Sequence, residues 1–173
     1  MEVKIMICKM VAIDASTNKT AMSLFVNGIY ESRILIDLSD MENNEERFRC
    51  MGKEILDYLN QTDPYIIYVE DTAVLTNAKT QRALTRLQGI IYSFCLFHDC
   101  EFNAIKPTEW RSLVGIKQGN KKREALKTVA VDYVKELLGI EVTDDEAESI
   151  LIGIAAVAKF NGLDDAIKIN QKK

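Results

Sequence analysis

The stretch that most restricts how this chain can fold runs from Thr143 to Phe160, TDDEAESILIGIAAVAKF. Asp144, Asp145 and Glu146 stand at the start of an almost wholly apolar run, and a further acid, Glu148, lies one turn in. No charged residue occurs from Ser149 to Ala158, so a helix here is buried around most of its circumference. An acid in its first turn therefore sits at the edge of a core. Asp145 and Glu148, three apart, share a face of that helix. Much of the acidic cluster is ordinary helix chemistry. Thr143 and Glu146 fit a capping box, and acids in a first turn are favoured by the helix dipole. Capping accounts for Glu146 and tolerates Asp144 and Asp145. It does not account for Glu148, which points along the apolar helix and needs a partner, a cation being the obvious one.

The chain before this helix alternates between strand and helix patterns. Residues 3–13 are mainly apolar with β-branched members and end on Asp14, the pattern of a central strand. After the turn-forming ASTNKTA, Asn27-Gly28 separates two alternating runs and predicts an antiparallel hairpin of strands near 20–26 and 29–37. Residues 41–60 place Met41, Phe48, Met51, Ile55 and Leu59 at helical intervals, and the helix ends before Asp63-Pro64. The continuously apolar YIIYVE, residues 65–70, has the form of a buried parallel strand ending on an acid. A second long helix follows over 77–98, with Lys79, Arg82 and Arg86 on one side and Leu84, Leu87, Ile91 and Phe94 on another. CEFNAI reads as a fifth strand, Pro107 opens a short helix through Trp110, and a basic loop with Gly115 and Gly119 leads to a helix over 121–138 closed by Gly139. This order predicts an α/β fold, a mixed five-stranded sheet flanked by helices. Strands 1, 4 and 5 are expected to be parallel, with strands 2 and 3 antiparallel to their neighbours.

A chain of 173 residues with two prolines, no low-complexity tract and no repeat reads as a single domain over 1–173. Its charges at Glu2, Lys4 and Lys9 leave N-terminal apolar runs too short for a signal peptide or a membrane span, so a cytoplasmic protein is expected. Cys8, Cys50, Cys95 and Cys100 show no C-x-x-C spacing and are expected to be reduced. His98, the single histidine, has no co-ligand pattern for zinc near it. The net charge of −4 argues mildly against a nucleic-acid binder, but its distribution argues the other way. From Lys106 to Lys127 there are seven Lys/Arg against Glu109 and Glu124. Counterion release depends on charges at the contact face, not on the total.

If strands 1 and 4 are neighbours, Asp14 and Glu70 lie side by side at one sheet edge, and the final helix brings Asp145 and Glu148 to the same place. Either strand-end acid alone is commonplace, and Asp71 competes with Glu70, because adjacent strand residues face opposite sides. In combination, carboxylates without histidine or thiolate form a hard oxygen ligand set suited to Mg²⁺ or Mn²⁺. Two such ions about 4 Å apart activate a water and stabilise the leaving oxygen of a phosphodiester.

A strand ending AIDAST, a later strand ending YVEDT and a helix opening DEAESILIGIAA together resemble the RuvC-type Holliday junction resolvases of the ribonuclease H-like superfamily. The likeness runs from about residue 10 to 160 and is closest to the phage-encoded branch, where IKPTEWRSLVG also has a counterpart. The resemblance implies that Asp14, Glu70, Asp145 and Glu148 are catalytic, metal-binding acids. It implies a homodimeric Mg²⁺-dependent endodeoxyribonuclease that nicks two strands of a four-way DNA junction symmetrically. It also places Lys106 and the cluster Lys121, Lys122 and Arg123 where the family keeps DNA-contacting basic residues. The chain departs from the pattern at Ala15-Ser16, where many members have Pro-Gly, and at Glu148, where Asp is more usual. It carries Ala73, Val74 and Leu75 where bacterial members have an aromatic wedge.

Lys121, Lys122 and Arg123 lie beside two glycines, in a loop that can conform to a phosphate backbone. Lys79, Arg82 and Arg86 recur at i, i+3 and i+7, a stripe that suits a DNA backbone or a plain polar face. Solubility and DNA contact are equally good readings of Lys117 and Lys127, while Trp110 is expected to be a core anchor rather than a base-stacking platform. Other readings of the same pattern are a flap, fork or structured-RNA nuclease, a non-cleaving junction-binding protein, and a fragment of a sugar-kinase or actin-like ATPase. The last lacks the Gly-rich phosphate loops such folds need.

Overall fold

Strand β1 (Lys9–Asp14) occupies the middle of a five-stranded sheet, as its apolar run requires. The computed structural model describes residues 8–71 and 77–171, so Ala73, Val74 and Leu75 lie outside the described residues. The sheet order is β3-β2-β1-β4-β5, with β2 (Lys19–Val26) antiparallel to β1 and β3 (Ile29–Asp37) antiparallel to β2. Strands β4 (Ile66–Glu70) and β5 (Glu101–Ile105) continue the sheet in parallel with β1. The hairpin turns where expected. Asn27 and Gly28 both take positive φ, 54° and 81°, the geometry of a tight two-residue turn that side chains beyond Asn and Gly resist.

Side chains alternate across the sheet with period two, and that alternation builds two cores. Val11, Ile13, Met22, Ile67 and Val69 face α1 (Asn44–Thr62) and α2 (Ala78–Phe97). Met10, Ala12, Phe25 and Tyr68 face the opposite layer, made by α3 (Pro107–Leu113), α4 (Arg123–Leu138) and α5 (Asp144–Asn161). A sixth helix, α6 (Leu163–Gln171), is not foreseen from the sequence and packs on this same side. Its Asn170 donates to the Gly28 carbonyl and accepts from Tyr30 N–H, tying the end of the chain to the hairpin.

Helix α5 is the most buried element, with every apolar residue from Ala147 to Val157 at 5% exposure or less. It sits close to β1 and β2 because its inner face is small. Gly153 lies directly under the Phe25 ring. The capping box is present in full. Thr143 Oγ1 accepts from Glu146 N–H, and the Glu146 carboxylate accepts from Thr143 N–H at 2.8 Å. All four cysteines are free, and no helix among the described residues is long and apolar enough to cross a membrane.

Candidate active site

Parity decides which acid at the end of β4 meets the final helix. Tyr68 faces the α5 core, so Glu70, two residues on, faces it too, while Asp71 has left the strand and donates its N–H to the Ile105 carbonyl. Asp14 stands in the same parity relation to Met10 and Ala12. The parallel register pairs Ile13 with Val69, and one step further these two acids end adjacent strands. The first turn of α5 is laid across that edge. Asp14, Glu70, Asp145 and Glu148 all line one cleft of about 540 Å³, whose rim includes Ser16, Lys19, Arg111 and Arg123.

Within the cleft, Asp14, Asp145 and Glu148 offer carboxylate oxygens that lie within 4.8 Å of one another. Glu70 shares the cleft but stands outside that group. Its Oε2 accepts from the indole N–H of Trp110 at 2.6 Å, and its backbone carbonyl accepts from Gln88 Nε2 at 3.1 Å. The sequence gives no sign that Glu70 is held to the wall of the cleft by a side chain of α3. Trp110 is indeed a fully buried core anchor, as expected, but it also carries this polar contact.

The partner that Glu148 requires is present in the chain. Arg111 donates to its Oε1 at 2.9 Å, both side chains being nearly buried, and the guanidinium rests 4.6 Å from the Trp110 ring centre. Lys127 pairs with Asp144 and approaches Asp145 at 3.8 Å. In the sequence Arg111 counts only as part of a basic segment, and Lys127 reads equally well as surface. Their spacing on α3 and α4 gives no hint that both turn inward to the acids. Only the packing of those helices against α5 brings them there.

The electrostatics are those of crowded like charges. Burial, then the neighbouring Glu70, Glu148 and Asp145, push the Asp14 carboxyl well above its ordinary 3.8. Burial raises Glu70 as well, against the Trp110 hydrogen bond. Burial and Asp144 raise Asp145, while the Lys127 hydrogen bond lowers Asp144. An acid whose pKa is raised by folding contributes stability that is complete below its unfolded value and is lost as pH rises through the folded one. The cation-free protein is therefore expected to lose thermal stability as pH rises above the ordinary carboxylate range, where Asp14, Glu70 and Asp145 ionise in the fold. Asp144, shifted down, acts in the opposite sense but only at lower pH, below its ordinary 3.8. Saturating Mg²⁺ is expected to flatten that slope, which melting curves with and without EDTA will show. A slope that Mg²⁺ leaves unchanged would speak against a cation in this cleft.

The other basic residues take different places. Lys122 is the N-cap residue of α4, Arg123 opens that helix and lines the cleft, and Lys121 lies in the preceding loop, so this cluster straddles a helix start rather than lying wholly in a loop. Lys106 is exposed at the N-cap of α3, outside the cleft lining. Lys79, Arg82 and Arg86 line a neighbouring cleft of about 500 Å³, together with Thr17 and Asn18 from the β1–β2 turn. Arg86, although exposed like Lys79 and Arg82, is engaged within the fold, paired with Glu45 at 3.0 Å and stacked 3.9 Å over the Phe48 ring.

No model of a known protein family matches the chain. A crossover junction endodeoxyribonuclease, RuvC, from Carboxydothermus hydrogenoformans is 26% identical over 124 residues, 69% of this chain and 74% of the relative. Among solved structures, Thermus thermophilus RuvC in complex with a Holliday junction substrate superposes with a TM-score of 0.70 at 13% identity, covering 90% of this chain and 97% of that one. The Fowlpox virus resolvase, solved with Holliday junction DNA, gives 0.62 at 13% identity over 89% and 98%. The yeast mitochondrial Holliday junction resolvase gives 0.61 at 13% identity over 95% and 82%. The mixed five-stranded sheet with its flanking helices is the ribonuclease H-like fold of these junction resolvases.

Proposed function

We propose that this protein is a divalent-cation-dependent endodeoxyribonuclease that resolves four-way DNA junctions by paired phosphodiester cleavage. The observation that carries this reading is the meeting of Asp14, Asp145 and Glu148, with Glu70 beside them, at the sheet edge of a resolvase fold. The donor set is oxygen alone, and a bound cation would offset the burial and the mutual repulsion that together raise Asp14. Mg²⁺, with Mn²⁺ able to substitute and two ions per site, fits these residues, and Asp14, Glu70, Asp145 and Glu148 would hold them. Bound there, such ions supply Lewis acidity that lowers the pKa of a water and stabilises the leaving oxygen.

The chain's own residues do the rest. Lys127 draws Asp144 and Asp145 toward α4 and so fixes the start of α5 at the sheet edge. Arg111 holds Glu148 while its guanidinium lies at the cleft wall, and Arg123 offers a second cation toward a phosphate entering the cleft. Lys121, Lys122, Lys79, Arg82 and Lys106 stand exposed around the site and suit duplex arms leaving it. The described residues of a single chain hold one such cleft, and two symmetric cuts need two, so the working form is a homodimer. Leu87, Ile91 and Phe94 of α2 are in the core, which leaves the exposed Tyr92, Leu96 and Phe97 for contact between copies. The resemblance of segment 105–115 supports, within this reading, a phage-encoded member acting in the cytoplasm of a bacterial host.

Offered an equimolar mixture of four-way junction, flap, fork and linear duplex with Mg²⁺, the protein is expected to consume the junction first. Preferential cutting of flaps or forks would favour a broader branched-DNA nuclease, and binding without cutting an architectural protein. Replacing Lys121, Lys122 and Arg123 together by Ala is expected to weaken junction binding at least about tenfold at moderate salt and to reduce the log–log salt slope by roughly 2 to 3. An unchanged slope would reduce this cluster to a solvated surface.

A further inference from the structure

We infer that Trp110 is a positioning residue for the metal site: its indole N–H fixes the Glu70 carboxylate so that this acid presents Oε1 to a cation. The inference rests on the metal-dependent nuclease reading and deepens it. Trp110 is the single tryptophan of the chain and is fully buried on α3, one turn after Pro107. An indole N–H is a donor with no acceptor capacity, and a buried one has to find a partner. Any backbone carbonyl would serve a ring whose only task is to fill space. Here the partner is a carboxylate in the acidic cleft, bonded at 2.6 Å through Oε2.

That choice has two physical consequences. The bond is charge-assisted, so it holds the carboxylate plane more firmly than a neutral contact would. It also takes up one lone pair of Oε2 and leaves both lone pairs of Oε1 for a cation. The main chain of Glu70 is tied separately, by Gln88 on α2, so the acid is held at both its backbone and its tip. The same indole ring lies against Arg111, which grips Glu148. One buried ring therefore stands behind two of the acids. No sequence signal marks this, because Trp110 and Glu70 are forty positions apart and meet only through the parallel pairing of β4 with β5 and the turn into α3.

Trp110→Phe keeps most of the ring and removes the donor. Cation affinity, read by calorimetry with Mg²⁺ or by Mn²⁺ resonance, is expected to fall about 10- to 100-fold, as is usual when a partner of a metal-binding carboxylate is lost. On a Glu70→Gln background the same substitution is expected to change affinity little. An equal loss on both backgrounds, or no loss on either, would overturn the inference. A second readout needs no change at Trp110. As the only indole in the chain, it gives one N–H resonance in a ¹⁵N correlation spectrum, expected far downfield and expected to move in Glu70→Gln and on adding Mg²⁺. A resonance indifferent to Glu70→Gln would overturn the inference even if Trp110→Phe failed to fold. Neither readout depends on DNA cleavage. Failure of the wild-type protein to cut a junction would therefore fall on the nuclease reading, not on this contact.

Discussion

Asp14→Asn is expected to abolish cleavage, lowering the rate by roughly a thousandfold or more, while four-way junction binding is kept or tightened. The rate effect follows from position. Asp14 is the acid whose carboxyl is raised by burial and by all three of the others, Glu70, Glu148 and Asp145. On the proposed reading, removing its charge takes away a ligand of the cation site, and a loss of several kcal/mol of transition-state stabilisation corresponds to a rate change of roughly that size. The binding effect follows from charge. One negative group fewer in the cleft means less repulsion of the phosphate backbone. Stability makes a third, opposed readout. With EDTA the Asn variant is expected to melt higher than the wild type near neutral pH, because crowded carboxylates no longer include Asp14. With Mg²⁺ the order is expected to reverse. Cleavage by the variant within about tenfold of wild type, or loss of junction binding in a folded variant, would remove Asp14 from the centre of the site.

Gly153→Ala is expected to be the most damaging conservative change outside the site, costing about 3 kcal/mol or more and lowering the melting temperature by roughly 6 to 12 °C. A Cβ at Gly153 would lie 2.0 Å from Phe25 Cε2, 2.4 Å from Cζ and 2.7 Å from Cδ2. The gain in helix propensity, about 1 kcal/mol, does not offset that clash. Phe25 is fully buried and packs edge-on to Tyr30 at 5.9 Å, so it has little room to turn aside. The remaining response is for α5 to lift from β2, and α5 carries Asp145 and Glu148. Weakened cation binding is therefore expected to accompany the lost stability. Gly89→Ala on α2 is the control, since a Cβ there would meet nothing within 4 Å and helix propensity alone would slightly stabilise the variant. Equal melting temperatures for the two variants would contradict the packing described here.

The contrast between Gly153 and Glu70 shows which parts of this protein are legible in its sequence. Periodicity identifies the hairpin at Asn27-Gly28, the central strand ending on Asp14 and the buried helix with its capping box. These are local features, set by backbone geometry and by which faces must leave water. The candidate acids are also legible, because strand ends and a helix start are the places where a carboxylate can border a core. The choice between Glu70 and Asp71 is not, since it turns on a parity that only the register of β4 against β1 fixes. Nor are Trp110, Arg111 and Lys127 legible as partners of the acids. Each looks like core or surface in its own helix and acquires its role from a neighbour far along the chain. Helix α6 is missed for a related reason. A nine-residue amphipathic segment has too short an apolar face to stand out before the Gly28 turn and the α5 face are there to receive it.

The most direct measurement is to map the cuts made in one synthetic, immobile four-way junction with each strand labelled in turn, in Mg²⁺ and in EDTA. Two nicks at symmetry-related positions in opposing strands, present with Mg²⁺ and absent with EDTA, are the expected result. An intact junction in Mg²⁺ and in Mn²⁺, bound tightly by the protein, would contradict the assignment of these acids to catalysis.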